Sequence, residues 1–207
     1  IVILTFDDGL KDHLSVARNL ASKKIKACFF IPSGPILEKS IIDSHKIQFI
    51  LASVSPIKIV DYIKNEFELY FNISAEELNC YYQSRWKNNI WPKEMVFVTR
   101  IMREYKDSKW KRIILNQIFS KYVTKDHEDF SSQFYLNKDN VNEIKSLGHH
   151  IGGHGHYSYD LKFEDSHTIN DELNSMNKFL TDLNIDKKVY AYANGGFNNY
   201  VKEKISD

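Results

Sequence analysis

Two adjacent carboxylates near the start of the chain have the types and spacing of a hydrolytic site. Asp7 and Asp8 precede Gly9 and follow the apolar run IVIL at 1–4. The run predicts a fully buried strand, because four aliphatic residues leave no polar face. Carboxylates at the end of such a strand lie where α/β enzymes place catalytic groups. Asp is also common in turns and helix caps, which is the structural alternative.

A second polar group is the glycine-rich sequence GHHIGGHGHYSYDL at 148–161. Its glycines disfavour a helix, so we expect a loop in which backbone segments approach each other closely. Imidazoles in such a loop, with carboxylates from elsewhere in the chain, suit a divalent metal ion. Exposed loop histidines without a ligand are the alternative. The histidines concerned are His149, His150, His154 and His156.

The composition favours a globular protein over nucleic-acid-binding, membrane and disulfide-rich classes. With 207 residues, 43% hydrophobic and 27% charged, the chain is typical of one ordinary globular domain. A net charge of +1 provides no field that would hold nucleic acid or an anionic membrane. With only two cysteines, Cys28 and Cys80, a disulfide framework is not indicated and a cysteine-based zinc site is excluded. No run of about 18 apolar residues predicts a transmembrane segment.

The two ends of the chain predict that it is part of a longer protein. It begins in mid-strand without methionine and stops at VKEKISD without a closing element. Targeting segments are therefore expected to be missing, and the compartment stays open, with the cytoplasm slightly favoured.

Strands and helices are predicted to alternate at both ends of the chain, and these elements must position the aspartates and histidines. Residues 1–37 predict strand, turn, helix and strand, the second strand in KACFFIPSG. After residue 134, NKDNVNEIKSLG predicts a helix ended by Gly148, TINDELNSMNKFLTDL predicts a further helix, and KKVYAYA predicts a strand.

A segment that is predicted to be helical, over about 41–130, separates these two α/β parts. Ser55-Pro56 predicts one helix start, and the capping box from Ser74 to Glu77 predicts another. Trp110, Ile113, Ile114 and Ile118 recur at helical spacing, which favours core packing. Because no repeat or low-complexity linker appears, we expect a helical insertion in a single domain of 1–207.

Three motifs, in order along the chain, resemble those of the polysaccharide deacetylases, metal-dependent enzymes that include chitooligosaccharide and peptidoglycan deacetylases. The motifs are TFDDG at 5–9, GHHIGGH at 148–154 and YAYANGGFN at 190–198. The resemblance covers about 1–40 and 135–207. It implies a distorted (β/α) barrel with the active site at the strand carboxyl ends, carrying the helical insertion and truncated at its C-terminal side.

The resemblance also implies an activity, the removal of N-acetyl groups from a carbohydrate with a divalent metal, Zn²⁺ being the expected ion. Asp7 matches the general base, and Asp8 and His154 match metal ligands. Water on the metal would attack the acetamide carbonyl, and the N–H of Asn194 would help to stabilise the oxyanion. The family's general acid histidine belongs to later motifs, beyond Asp207.

Three positions depart from the family pattern. Ser158 stands where the second histidine ligand is expected, and a serine hydroxyl is a poor zinc ligand. We consider His156 first as the replacement, then His150, then a metal held with additional water. Ala193 replaces the usual proline, and Ala191 replaces the arginine that orients the base.

These departures leave a second hypothesis open, a degenerate deacetylase-like domain that binds carbohydrate without hydrolysing it. A phosphatase-like enzyme with Asp7 as nucleophile is disfavoured. Such enzymes usually need a second aspartate two residues later, where Gly9 stands.

Overall fold

The computed structural model describes residues 2–71, 76, 78, 90–105 and 108–206. The chain divides into two compact units, one of Ile1–Ile42 with Asp126–Asp207 and the other of Asp43–Lys125. In chain order the described elements are β1 (Thr5–Phe6), α1 (His13–Ser22), β2 (Cys28–Ile31), α2 (Ser33–Glu38), α3 (Asp43–Ser53), α4 (Pro56–Phe71), α5 (Lys93–Glu104), α6 (Ser108–Tyr122), α7 (His127–Phe134), α8 (Lys138–Ser146), β3 (His150–Gly153), α9 (Ser166–Asp182) and α10 (Asn199–Ser206). The chain is therefore a mostly helical α/β protein.

A three-stranded parallel sheet, in the order β1-β2-β3, organises the first unit. Thr5 and Phe6 pair with Cys28 and Phe29, and the four residues of β2 pair with the four of β3. Parallel pairing requires a long crossover between consecutive strands, and helices provide it here. All three strands therefore end at the same edge of the sheet, where the segments that follow them meet.

The core of this unit joins the sheet to three helices. Phe29 of β2 and Ile151 of β3 pack in one cluster with Ala17 of α1, Val141 of α8 and Phe179 of α9, each at most 2% exposed. Burying a side chain such as Val, Ile or Phe stabilises the fold by about 1.5–3 kcal/mol. This packing holds β2 and β3 rigidly and so fixes the positions of their ends.

Several predicted elements are confirmed. The second strand lies at Cys28–Ile31, and the two helices predicted after residue 134 are α8 and α9. Gly148 follows α8 with a φ of 83°, as expected of a glycine that ends a helix. Helix α4 begins at Pro56, while the capping box from Ser74 to Glu77 lies outside the described residues.

Two strand predictions are right only in part, the first because β1 comprises Thr5–Phe6 of the predicted strand IVILTF. Of the run predicted as a buried strand, residues 2–4 do not form one, since Val2 and Ile3 are 87% and 77% exposed and pairing begins at Thr5. It precedes β1, which in the described part of the chain pairs with β2 alone and is therefore an edge strand. In KKVYAYA only one bridge forms, between Gly153 and Tyr190.

The glycine-rich sequence was predicted to be a loop, but its residues His150–Gly153 form strand β3. The close backbone approach expected of its glycines is confirmed at Gly152, where an added Cβ would lie 3.0 Å from the Val189 carbonyl oxygen. That Cβ would also lie 2.5 Å from the Phe30 ring, and one added to Gly153 would lie 2.8 Å from the Met176 side chain. Neighbouring side chains therefore occupy the space that larger residues would need.

Among the described residues the sheet remains open, so the complete (β/α) barrel expected from the resemblance is not shown. What is shown is a small parallel sheet with helical crossovers, which is consistent with a deacetylase fold.

Every described element of the second unit, Asp43–Lys125, is a helix, from α3 to α6. Trp110, Ile114 and Ile118 are buried as their spacing predicts, whereas Ile113 is 46% exposed. The Phe67 ring meets Trp110 edge-on, with centroids 4.4 Å apart. That this unit is an insertion in a single catalytic domain stays a prediction.

No helix in the described parts of the chain is long and apolar enough to span a membrane.

Candidate active site

The turn after β1 presents the two carboxylates. Asp8 and Gly9 both have positive φ angles, 73° and 64°, so the chain reverses sharply after Asp7. A Cβ added to Gly9 would lie 3.1 Å from a methyl group of Ile31, which places the turn against the end of β2. Leu136 donates its N–H to the Gly9 carbonyl at 2.9 Å. Asp tolerates this left-handed conformation better than most residues, so the backbone and the chemistry favour the same side chain.

His154 follows β3 directly and meets Asp8, with its Nε2 3.3 Å from Asp8 Oδ1. The imidazole is only 5% exposed. Its Nδ1 lies 3.0 Å from the carbonyl oxygen of Ala191, which can only accept a hydrogen bond. Nδ1 therefore carries the proton, and Nε2 of the neutral ring presents a lone pair towards the carboxylate. Two such electron-rich atoms need a proton or a cation between them.

The electrostatics of His154 reflect this arrangement. Burial lowers the pKa of His154, but the hydrogen bond and charge of Asp8, the charge of Asp7 and the Ala191 carbonyl outweigh it, so its pKa is raised overall. The carboxylates that favour a proton on this ring would also favour a divalent cation.

The spacing of this pair fits zinc. Zinc bonds to histidine nitrogen and carboxylate oxygen are about 2.0–2.1 Å long, so two ligands at a tetrahedral angle lie about 3.3 Å apart. Asp8 Oδ1 and His154 Nε2 have that separation. The Ala191 carbonyl fixes the ring in the tautomer that a metal requires, as outer partners of metal-binding histidines commonly do.

Asp7 lies beside this pair with an exposed side chain. Its charge acts on His154 and on Cys28. Burial and then Asp7 raise the pKa of the Cys28 thiol to about 11. A carboxylate that is open to solvent and adjacent to the Asp8–His154 pair can exchange protons with water there.

His156 is oriented by a different set of residues. Its Nδ1 lies 2.7 Å from Ser33 Oγ, and its Nε2 lies 3.1 Å from Glu38 Oε1. Among the residues that the structure describes, no group of three His, Cys, Asp or Glu side chains could hold a metal ion. The structure thus brings together two of the three predicted ligands, Asp8 and His154, and engages both ring nitrogens of His156 elsewhere. The complete ligand set stays a prediction.

His149 has a structural role. Its Nδ1 accepts the Ala27 N–H at 3.2 Å, so Nε2 carries the proton and donates to the Ala17 carbonyl at 2.9 Å. The ring is 5% exposed and packs edge-on against Phe29. It therefore joins α1 to the strand edge, and neither nitrogen is left to bind a metal.

We expect His149→Ala to lower the free energy of unfolding by about 2–4 kcal/mol, because it leaves a cavity and two unpaired backbone groups. Zinc affinity should not change. His150→Ala is the matched control, since His150 Nε2 is buried without a hydrogen-bond partner in the described chain. Urea unfolding of both variants measures the difference. Loss of zinc from His150→Ala would instead identify His150 as the missing ligand.

The third motif reaches the site through its backbone. Gly153 N–H donates to the Val189 carbonyl at 2.8 Å, and Ala191 N–H donates to the Gly153 carbonyl at 2.9 Å. This pairing brings the Ala191 carbonyl within hydrogen-bond distance of His154 Nδ1. Asn194 follows in a 3-10 turn at Ala193–Gly195, exposed and with a φ of 55°. The oxyanion role of the Asn194 N–H stays a prediction.

Four polar residues near the strand ends were missed by the sequence analysis. Ser33 and Glu38 hold His156, and Glu172 accepts the backbone N–H groups of His156 and Tyr157. Burial lowers the pKa of His13, although the charges of Asp8, Asp12 and Asp7 oppose this, so His13 also lies near the turn. Glu172 had a signal in the sequence, because it falls on the apolar face of α9 with Ile169 and Met176.

An α/β sheet that gathers a carboxylate and a histidine at the carboxyl ends of its strands has the arrangement of an α/β enzyme. The family model described as polysaccharide deacetylase matches residues 97–207, just over half of the chain. The chain therefore belongs to the polysaccharide deacetylase family. No curated protein and no solved structure matched it.

The matched range contains His154, His156 and Asn194 but not Asp7 or Asp8. It begins inside the helical unit, whereas the resemblance from the motifs resumes at about 135. The family implies a carbohydrate substrate and hydrolysis of a carbon–nitrogen bond. The first motif is linked to the matched part by the contact between Asp8 and His154.

Proposed function

We propose that this chain is a metal-dependent hydrolase that removes N-acetyl groups from a carbohydrate, either a polysaccharide or a glycan precursor. In this reaction the amide C–N bond breaks, a C–O bond forms from water, and the products are acetate and the free amine. Asp8 and His154 would hold the ion, for which zinc is the expected identity. When bound, the ion would lower the pKa of water at the site and polarise the acetyl carbonyl.

The residues of the chain take three of the remaining tasks, and the proton that the leaving nitrogen gains comes from the general acid that the family places in later motifs. Asp7, adjacent and exposed, takes the proton from the attacking water as general base. The N–H of Asn194 donates to the oxygen that gains charge in the tetrahedral state. Ala191 keeps His154 in its metal-binding tautomer through the hydrogen bond to Nδ1.

One observation carries this proposal, the 3.3 Å contact between Asp8 and His154 at the carboxyl edge of a parallel sheet. Residues 146 positions apart in the sequence meet here at the separation expected of two ligands on one zinc ion. The same sheet supports the family's distorted barrel as the complete fold, with Asp43–Lys125 as a helical insertion in one catalytic domain.

The test is acetate release by the zinc-loaded protein, measured on N-acetylated chitooligosaccharides and on peptidoglycan fragments. Metal-free protein should be inactive, and zinc should restore activity with a stoichiometry near one. A protein that binds zinc in this ratio and releases no acetate from any N-acetylated sugar would contradict the proposal.

The alternative function, carbohydrate binding without hydrolysis, is favoured by a specific observation. Ser158 replaces a ligand, and both ring nitrogens of His156 are hydrogen-bonded to Ser33 and Glu38. A site with only Asp8 and His154 as protein ligands would bind zinc weakly, because catalytic zinc usually has three. Sugar binding with unchanged affinity after metal removal would support this alternative.

Two variants decide between these ligand sets. If the second histidine position is vacant, Ser158→His should tighten zinc binding by about 10-fold or more, since it adds an imidazole ligand. The left-handed φ of 60° at Ser158 is one that histidine adopts comparatively often. If His156 leaves Ser33 and Glu38 to bind the metal, His156→Ala should release zinc and Ser158→His should have little effect. Competition with a chelator measures both affinities.

A further inference from the structure

A buried carboxylate on α9 binds the backbone of the histidine loop, residues 154–158. Glu172 is only 2% exposed. Its Oε2 accepts the N–H of His156 at 2.9 Å, and its Oε1 accepts the N–H of Tyr157 at 2.8 Å. Each oxygen therefore binds one of two successive backbone donors. Hydrogen bonds to a charged acceptor are stronger than those between neutral groups.

The loop is shaped to fit this carboxylate. Gly155 has a φ of 82°, and a Cβ added to it would lie 2.7 Å from Glu172 Oε2. A side chain at this position would therefore displace the carboxylate as well as strain the backbone. Glycine allows the loop to pass directly over Glu172.

Two backbone acceptors of the same loop are bound by a second segment, which follows β2. Ser33 donates its N–H to the Gly155 carbonyl at 3.1 Å, and Gly34 donates its N–H to the His156 carbonyl at 2.7 Å. A Cβ on Gly34 would lie 2.8 Å from that carbonyl oxygen, so this approach is also close. Two donors of the loop thus bind α9, two of its acceptors bind the segment after β2, and the N–H of His154 donates to the Ile31 carbonyl at 3.3 Å. Bonds to both segments restrict the path of the loop.

We propose that Glu172 is a positioning residue: it fixes the path of the loop that begins at His154 and so holds this imidazole opposite Asp8. It acts through the two backbone N–H groups that it binds. Its effect on catalysis rests on the proposed function, whereas its effect on the loop does not. Glu172 is therefore expected to control the order of the loop and, through it, the affinity for zinc.

Glu172→Gln tests this with little change in shape. Glutamine has one acceptor oxygen, and its NH₂ group faces the second backbone donor, so one of the two N–H groups loses its acceptor. Hydrogen exchange of the His156 and Tyr157 amides in the metal-free protein should become about tenfold faster. Zinc affinity should fall by about tenfold, as expected for a residue that orients a ligand. The kcat should fall with it, while KM stays near its original value.

Phe179→Leu is the matched control. Phe179 lies on the same helix, is 2% exposed and belongs to the core cluster, away from the loop amides that Glu172 binds. Its replacement should lower the free energy of unfolding without changing loop exchange or zinc affinity. If Phe179→Leu lowers zinc affinity as much as Glu172→Gln does, Glu172 stabilises the fold only, and the proposal is wrong.

Unchanged exchange at His156 and Tyr157 in Glu172→Gln would also overturn the proposal. Should that variant fail to fold, Glu172→Asp keeps both acceptor oxygens on a side chain one methylene shorter, and a smaller acceleration at the same two amides is expected. Failure of the proposed function has a different signature. The original chain would then release no acetate, while the loop amides would still respond to Glu172→Gln.

Discussion

Replacing Asp8 with asparagine is expected to lower zinc affinity by more than about 100-fold and to abolish acetate release. Loss of an outer partner alone usually costs 10- to 100-fold in metal affinity, and Asp8 is proposed to contact the ion itself. Asparagine is nearly isosteric with aspartate and tolerates the left-handed φ of 73° at this position. The turn should therefore keep its conformation while the negative charge is lost. Competition with a chromophoric chelator measures the affinity.

Asp12→Asn is the matched control for this experiment. Asp12 is exposed in the same connection between β1 and α1, and its side chain caps no helix. The two variants change the net charge equally, so a general electrostatic effect would weaken zinc binding in both. Equal affinities in Asp8→Asn and the original chain would exclude Asp8 as a ligand.

Local signals in the sequence were sufficient for much of the fold. Three of these signals depend on neighbours in the chain: the helical spacing of apolar residues in α9, the short apolar run of β2 and the glycine after α8. Helix α8 also begins at a capping box, in which the Asn137 side chain accepts from the Asn140 backbone and the Asn140 side chain accepts from Asn137. Such features act within one or two turns, so a single sequence contains them.

Strand pairing was less predictable, because burial of an apolar run depends on segments that are distant in the sequence. The run at 1–4 has the composition of a buried strand, but Val2 and Ile3 are exposed beside the edge strand β1. KKVYAYA likewise has strand composition and forms a single bridge. Composition indicates which residues can form a strand, whereas the number of neighbouring strands is a tertiary property.

The candidate site shows the same distinction. The approach of Asp8 and His154 follows from parallel topology, since both come directly after strands that end at the same edge. The direction of each histidine does not follow from the sequence. His149 turns towards α1, and His156 turns towards α2 after the left-handed Gly155. A one-residue difference at the strand start and one positive φ angle decide these directions, and neither is visible in the spacing of histidines.

Replacing Asp7 with asparagine is expected to lower kcat by about 10²- to 10⁴-fold, the usual contribution of a general base. Zinc affinity should stay within about twofold of the original value, because Asp7 is proposed to accept a proton and not to bind the ion. Asparagine preserves the size of the side chain but cannot accept that proton. Acetate release under saturating zinc measures kcat, and chelator competition on the same preparation measures affinity.

The comparison with Asp8→Asn assigns the two adjacent carboxylates. Loss of zinc in Asp8→Asn alone, with loss of turnover in both, means that one carboxylate binds the ion and the other is the base. Loss of zinc in both variants would mean that the two share coordination, and the general base would then have to be another residue. Near-original turnover in Asp7→Asn would exclude it as the base. The exposed side chain of Asp7 and the position of Asp8 3.3 Å from His154 favour the first result, because that separation is the one expected of two ligands on one zinc ion.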